Sequence, residues 1–312
     1  MRIGGTSIFR ELGALTGLVF LCISLSLLSP DFLRLSNLIN VMRQVTVIAI
    51  MTAGMTFVIL TAGIDLSVGS ILGLTSCIMA GLIKSLGIPV CLSVGAGLLL
   101  GALLGATNGL LITKARLPPF IATLGMMSVA RGLAYVYTHG APIYGLPSSF
   151  RFLGEGMWGP LPFPVLLMVL VFSTAHLVLT RTRLGRYAYA IGGNEEATRL
   201  SGVPVDRYKL WVYCISGFLA AVSGAILAAR LDSAVPVAGT GSELDVIAAV
   251  VIGGTSLMGG EGKVTGSLIG ALIMGVVRNG LNLLLVSPYW QSVVIGLIIL
   301  LAVAVDLLRR RI

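Results

Sequence analysis

Apolar runs long enough to cross a bilayer recur along almost the whole chain, separated by short connectors, and this recurrence limits the fold more than any motif does. A helix needs about 20 predominantly apolar residues to span the hydrocarbon core. Spans are predicted at 12–29, 45–61, 66–86, 88–112, 120–138, 163–180, 210–230, 244–259, 264–286 and 290–308. Hydrophobic residues make up 56 % of the 312 and charged residues 11 %, with a mean hydropathy of +1.01. A soluble domain is roughly a quarter charged, so the expected fold is an all-α polytopic membrane protein with about ten transmembrane helices. The net charge of +9 does not point to nucleic acid, because the basic residues are spread over connector ends instead of one polar face. Lipid headgroups are the expected neighbours.

Basic residues also set the orientation. An even number of spans puts both termini on one side, and with both inside, that side holds Arg2, Arg10, Lys114, Arg116, Arg181, Arg183, Arg186, Arg199, Arg207, Lys209, Lys263, Arg309, Arg310 and Arg311. Arg34, Arg43, Lys84, Arg131, Arg151, Arg230 and Arg278 fall outside or within spans. The excess of inner cations predicts cytoplasmic termini. The first run follows Arg2 and Arg10 without a small-residue cleavage site, so it is expected to be a retained helix. Cys22, Cys77, Cys91 and Cys214 lie in apolar runs without metal or disulfide spacing and are expected to behave as small buried hydrophobes.

One sequence echo bears on construction. Asp65 stands third in GIDLSVGSILGLTS at 63–76, and 180 positions later Asp245 opens DVIAAVVIGGTS, with a Ser eleven residues beyond each aspartate and a matching Gly and Thr between. GALLGATNG at 101–109 and GALIMGVVRNG at 270–280 form a second pair. Under the predicted topology each pair runs in opposite directions, which gives two inverted five-helix repeats, about 1–160 and 161–312, in a single domain. Intramembrane carboxylates in a duplicated bundle point to transport. Gly97, Gly101, Gly105 and Gly109 form a ladder on the fourth span, and Gly262, Gly266 and Gly270 another near the ninth; both are expected to bring helices close within one bundle.

The one long inner loop, 181–209, carries a helix signal. Asn194 is a good N-cap, Glu195 and Glu196 suit the positive N-terminal end, Gly202 can stop the helix and Pro204 prevents its continuation. A two-turn helix over about 195–201 is expected to lie at the membrane surface for a cytosolic partner to grip. Nucleotide chemistry is not expected in the chain itself. GGEGKV at 259–264 places Leu257 and Val264 where a phosphate loop needs Gly and Ser or Thr, and it predicts instead a tight inner turn. His139 and His176 are isolated, and no catalytic or metal-binding constellation occurs.

GMTFVILTAGIDLSVGS at 54–70, LPPFIATLGMMSVARGLAYVYTHGAPI at 117–143, TRLGRYAYAIGGNEEATRLSGV at 182–203 and GTGSELDVIAAVVIGGTSLMGGEGKVTGSLIGALI at 239–273 together resemble the permease subunits of sugar ABC importers, the ribose/xylose/arabinose/galactose permease family. The resemblance covers about 40–310. It implies a homodimer in the bacterial inner membrane, a cytosolic ABC ATPase with two nucleotide-binding modules that binds ATP and Mg, and a periplasmic sugar-binding protein. It also implies that Asn194, Glu195, Glu196, Ala197, Arg199, Leu200 and Gly202 form the coupling helix inserted into the ATPase, and that the outer loop 139–162 can tune the choice of binding protein. The cargo would be ribose or a related pentose, passed inward by alternating access.

Polar residues in or next to spans are the candidate pathway or gate: Asp65, Ser67, Ser70, Asn108, Thr123, Arg131, Asp245 and Asn279. Asp65 and Asp245 are expected to act as helix starts, hinges or gates at opposite ends of the pathway more than as sugar ligands. Arg131 is expected to pair with a buried acid or carbonyl, because an unpaired charge in a span is costly. The competing function is an ion-coupled secondary transporter of a small polar solute, which would share inverted repeats but would not need the docking loop.

Overall fold

The computed structural model describes residues 5–311, with side-chain environments for 13–304. Arg2, and the side chains of Arg10, Arg309, Arg310 and Arg311, lie outside the described residues. The chain is predominantly helical: α1 (Gly5–Leu28), α2 (Leu35–Leu60), α3 (Val68–Lys84), α4 (Val90–Thr113), α5 (Pro119–Thr138), α6 (Ser148–Glu155), α7 (Phe163–Arg181), α8 (Arg183–Gly193), α9 (Glu195–Leu200), α10 (Val205–Leu231), α11 (Ser242–Ile252), α12 (Val264–Leu283) and α13 (Pro288–Arg311). Proline marks several starts: Pro89, Pro118, Pro162 and Pro204 each precede a helix, where the fixed φ is pre-set and the missing N–H costs nothing.

Among the described residues six helices, α2, α4, α5, α7, α10 and α12, are long and apolar enough to cross a membrane. The chain is therefore a multi-pass membrane protein. The buried share of each separates the centre from the perimeter: 83 % for α2 and 72 % for α10, against 22 % for α4 and α7. Helices α2 and α10 thus pass through the interior, while the outward faces of α4, α5 and α7 carry exposed Leu99, Leu103, Val129, Leu133, Val169 and Leu170. Apolar exposure of this kind suits hydrocarbon.

The glycine ladder on α4 is an intramolecular seam with α10. A Cβ on Gly101 would lie 2.5 Å from the Gly217 carbonyl oxygen, one on Gly105 2.1 Å from that of Tyr213, and one on Gly109 2.8 Å from the Leu210 Cα; Gly97 faces Met79. Gly266 and Gly270 likewise pack against Gly253 and Ala249, joining α12 to α11, and Gly262 meets Thr255. Backbone cannot retreat as a side chain can. Gly105→Ala is expected to destabilise the protein by about 1–3 kcal/mol through overpacking, measured as a lower unfolding midpoint in detergent. The same change at Gly95, whose Cβ would meet nothing within 4 Å, is the control.

Two expectations about helices change. The eighth predicted span, 244–259, is only the eleven-residue α11, because the chain turns out of the helix at Gly253 and Gly254, the latter with φ +87. At about 1.5 Å per residue, α11 reaches roughly halfway across the hydrocarbon core. The 181–209 segment also holds an additional helix, α8, whose Gly185, Ala188 and Ile191 are buried. Gly192 at its end sits so close to the Leu60 oxygen and the Gly260 nitrogen that no Cβ fits. The Gly-rich stretch 259–262 is a turn, as expected, with the Gly260 N–H donating to the Leu60 carbonyl at 3.0 Å and the Tyr189 hydroxyl donating to the Gly262 carbonyl at 2.8 Å. Burial pushes the Tyr189 phenol above its usual pKa. Only Cys77 is fully buried among the four cysteines; Cys91 is exposed, on the outward side of α4.

At the other end, Ile143–Tyr144 pairs antiparallel with Ser233–Ala234, and Met157–Trp158 with Leu161–Pro162. These short ladders flank α6, which packs on α10 through Gly154. The predicted outer loop 139–162 is therefore an ordered cap.

Candidate functional site

Two stretches of non-helical backbone enter the interior, one between α2 and α3 and one between α10 and α11. The second packs against the opening turns of α3, which follow the first: a Cβ on Gly69 would collide with the Gly239 carbonyl oxygen, and one on Gly73 would lie 2.9 Å from that of Ala238. Irregular backbone inside a membrane protein must be satisfied by protein groups, and each stretch has its own set.

Around the first stretch, Asp65 is fully buried and accepts three hydrogen bonds. Ser67 donates through its backbone N–H at 3.0 Å and its hydroxyl at 2.6 Å, and the Ser216 hydroxyl of α10 donates at 2.8 Å. Asn108 of α4 donates to the Ser67 hydroxyl oxygen at 2.9 Å. Thr123 of α5 donates to the carbonyls of Pro119 at 2.9 Å and Ile64 at 3.3 Å. Asp65 therefore acts two residues ahead of the first helical turn, folding the junction back on itself, while the N-cap position belongs to Ser67. Ser70, one turn further, is buried. Beside this cluster the buried Asn108 Oδ1 and Tyr213 hydroxyl have no hydrogen-bond partner.

The second stretch, Ser233 to Gly241, is held from α5. Arg131 donates to the carbonyl oxygens of Pro236 at 2.6 Å and Ala238 at 2.7 Å, the carbonyl pairing expected from its position in a span. Glu243 accepts from the Gly241 N–H at 3.2 Å. Asp245 lies in the first turn of α11, buried, with its Oδ2 bound by Arg278 of α12 through Nε at 3.0 Å and through a terminal guanidinium nitrogen. Asn279, the next residue, exchanges two amide hydrogen bonds with Asn37 of α2 at 3.1 and 2.9 Å.

The structure thus brings Asp65, Ser67, Asn108 and Thr123 together, sets Arg131 of α5 against the neighbouring loop, and places Asp245 and Asn279 apart on α11 and α12. Ser216, Tyr213, Glu243, Arg278 and Asn37 are equally involved and were absent from the sequence-derived set. Replacing Arg278 by methionine is expected to cost about 2–3 kcal/mol, below the 3–5 of a fully buried pair because its side chain is 35 % exposed. Adding Asp245→Asn should recover most of that loss, measured by thermal unfolding. No recovery would show that Arg278 acts by packing alone.

A separate site forms around α9. The Asn194 side chain accepts from the Ala197 N–H at 2.9 Å, the predicted cap. The helix ends at Leu200, one residue earlier than expected, with Gly202 in the left-handed region at φ +82. Arg199 bridges Glu195 at 3.3 Å and Asp206 at 2.8 Å, and Lys209 pairs with Glu195 at 2.5 Å. Buried Thr198 anchors the helix, while Glu196 is exposed and Leu200 is 84 % exposed. Leu200 thus adds little packing to the fold and is available for contact.

The sequence matches the family described as branched-chain amino acid transport system / permease component over residues 37–303. It is 50 % identical over 307 residues to the ribose import permease protein of Bacillus subtilis, covering 98 % of this chain and 95 % of that one. Identity to the ribose import permease protein of Escherichia coli K12 is 51 % over 300 residues, covering 95 % and 93 %. The fructose import permease protein of Rhizobium meliloti is 41 % identical over 288 residues, covering 90 % and 80 %. No solved structure matches the chain.

Proposed function

The chain belongs to the branched-chain amino acid transport system / permease component family, and we propose that it is the membrane subunit of an ATP-driven importer passing ribose or a related monosaccharide. The observation that carries this reading is identity of about half with ribose import permeases over nearly the full length of both proteins. A periplasmic binding protein delivers the sugar, and a cytosolic ABC ATPase with two nucleotide-binding modules binds ATP and Mg and supplies the energy. Two copies of the chain form the translocation unit in the inner membrane, with both termini cytoplasmic.

Within each copy the ten predicted spans are two inverted five-helix repeats, with α11 spanning together with the backbone that follows it. The packing of the second irregular stretch, at Gly239, against Gly69 in the first turn of α3 supports this construction. In the mechanism, the loop held by Arg131 and the junction organised by Asp65 are the moving parts. Their hydrogen bonds tie them to α5 and α10, so each moves with those helices when α9, gripped by the ATPase, changes position. Passing a neutral sugar needs polar groups in weak succession and no strong ligand.

The test is uptake into vesicles containing the chain, with the binding protein outside and the ATPase inside. Sugar should accumulate only with ATP. Accumulation driven by an ion gradient without the ATPase would establish the secondary-transporter reading instead.

A further inference from the structure

On the side that carries α9, a cavity of about 670 Å³ opens between the α4–α5 turn and the α9–α10 corner. Its charged lining is Lys114, Arg116, Arg199 and Lys209 against Glu195 and Asp206, an excess of two positive charges. The two carboxylates are already taken. Glu195 binds Arg199 and Lys209, and Asp206 binds Arg199, a network that leaves Lys114 and Arg116 without an ion pair, Lys114 acting on Asp206 only at longer range. Neither of these makes a salt bridge or side-chain hydrogen bond among the described residues. Arg116 also holds a left-handed backbone, φ +56, in the turn that ends α4, a conformation that glycine would take more easily. The turn thus presents a cation where a small residue would close it with less strain.

We infer that this cavity binds a phosphate-bearing ligand through Lys114 and Arg116, and that the ligand braces α9 against the α4–α5 turn. The excess charge matches two phosphodiesters or one doubly charged phosphate. The surroundings favour a lipid source. Leu117 lines the cavity and is itself exposed, and Leu110, Phe120 and Ile121 are exposed on the adjoining ends of α4 and α5, where acyl chains can lie beside a headgroup seated in the cavity. Basic pockets at the cytoplasmic ends of membrane helices select anionic headgroups by this combination. The inference goes beyond the transport reading and does not depend on which sugar crosses.

The experiment compares the purified full-length protein with Lys114→Gln/Arg116→Gln, and with Arg181→Gln/Arg183→Gln as a control for general surface charge. Thermal stability is measured against cardiolipin, phosphatidylcholine and inorganic pyrophosphate. Wild type should be stabilised by cardiolipin and not by phosphatidylcholine, with roughly 20- to 30-fold weaker apparent affinity in the first variant, about fivefold per cation, and little change in the control. Stabilisation by pyrophosphate, lost in the same variant, would keep the site and assign it to a soluble phosphate. Equal cardiolipin affinity in all three proteins would overturn the inference. So would an unchanged anion response accompanied by weaker ATPase binding, which would make the cavity a protein contact. Matching melting temperatures without lipid establish that the variants are folded.

Discussion

Replacing Asp65 by leucine will lower stability in detergent by about 3–5 kcal/mol and abolish uptake, whereas Asp65→Asn will cost about 1–2 kcal/mol. Two effects oppose each other. Leucine relieves the burial of a carboxylate, a gain where that charge is poorly compensated. Here it is well compensated, by the Ser67 N–H and hydroxyl and by the Ser216 hydroxyl. Each buried donor left without an acceptor costs about 1–3 kcal/mol. The hydroxyls can turn toward helix carbonyls and so lose less, but the Ser67 N–H has a fixed direction. Loss of acceptors therefore wins. Asparagine keeps one acceptor oxygen for Ser67 and removes the charge, which explains the smaller penalty. Denaturant or thermal unfolding gives the ranking, and a leucine variant as stable as wild type would remove Asp65 from its role as organiser of the junction.

Why that junction was only half legible in the sequence is a matter of range. Asp65 and Ser67 stand two residues apart in a polar break, and such local pairs can be read directly. Ser216 and Tyr213 sit inside a long apolar helix where an isolated hydroxyl carries no periodic signal, and only the packing of α10 against α4 brings them to Asp65. The pairing of Asp245 with Arg278 has the same character, since the residues lie on different helices. Apolar runs located the long helices because burial in lipid demands continuous hydrophobicity. The same demand hid the end of α11, where the run continues through Gly253 and Gly254 although the helix does not. Helix α8 was missed for the opposite reason: its buried face is short and its cationic residues resemble a connector. The glycine ladder was the most faithful signal, because a four-residue spacing of side-chain-free positions has little use except close helix contact.

Gly69 and Gly239 link the surroundings of Asp65 to those of Asp245. The carboxylates do not meet, yet the first turn of α3, just after Asp65, touches the loop ahead of Asp245 in the interior. A displacement of one junction is therefore felt by the other through backbone contact, which transmits force without needing a flexible side chain. Arg131 adds a second restraint by fixing two carbonyls of the same loop. The hydrogen-bonded clusters set where the loops can rest, and the backbone contact makes their rest positions mutual.

Leu200→Asp will leave folding intact and remove ATP-driven uptake. The side chain is 84 % exposed, so the substitution touches no core and should change unfolding stability by no more than about 0.5 kcal/mol. Its effect falls on the partner instead. A hot-spot residue at the centre of a protein contact contributes about 2 kcal/mol, and a buried, unpaired carboxylate in its place adds a desolvation penalty, so with Leu200 in that position ATPase affinity should fall by roughly 30-fold or more. The helix itself stays in place, because the Asn194 cap, buried Thr198 and the Glu195–Lys209 pair do not involve Leu200. Gly202→Val separates position from contact. It forces a β-branched residue into φ +82 and displaces the end of α9 while leaving Leu200 unchanged. Both variants should uncouple hydrolysis from uptake, Leu200→Asp by weakening attachment and Gly202→Val by misdirecting it at nearly normal affinity. Full uptake in both would mean that α9 is not where the ATPase pulls, and the exposed leucine would then require another partner.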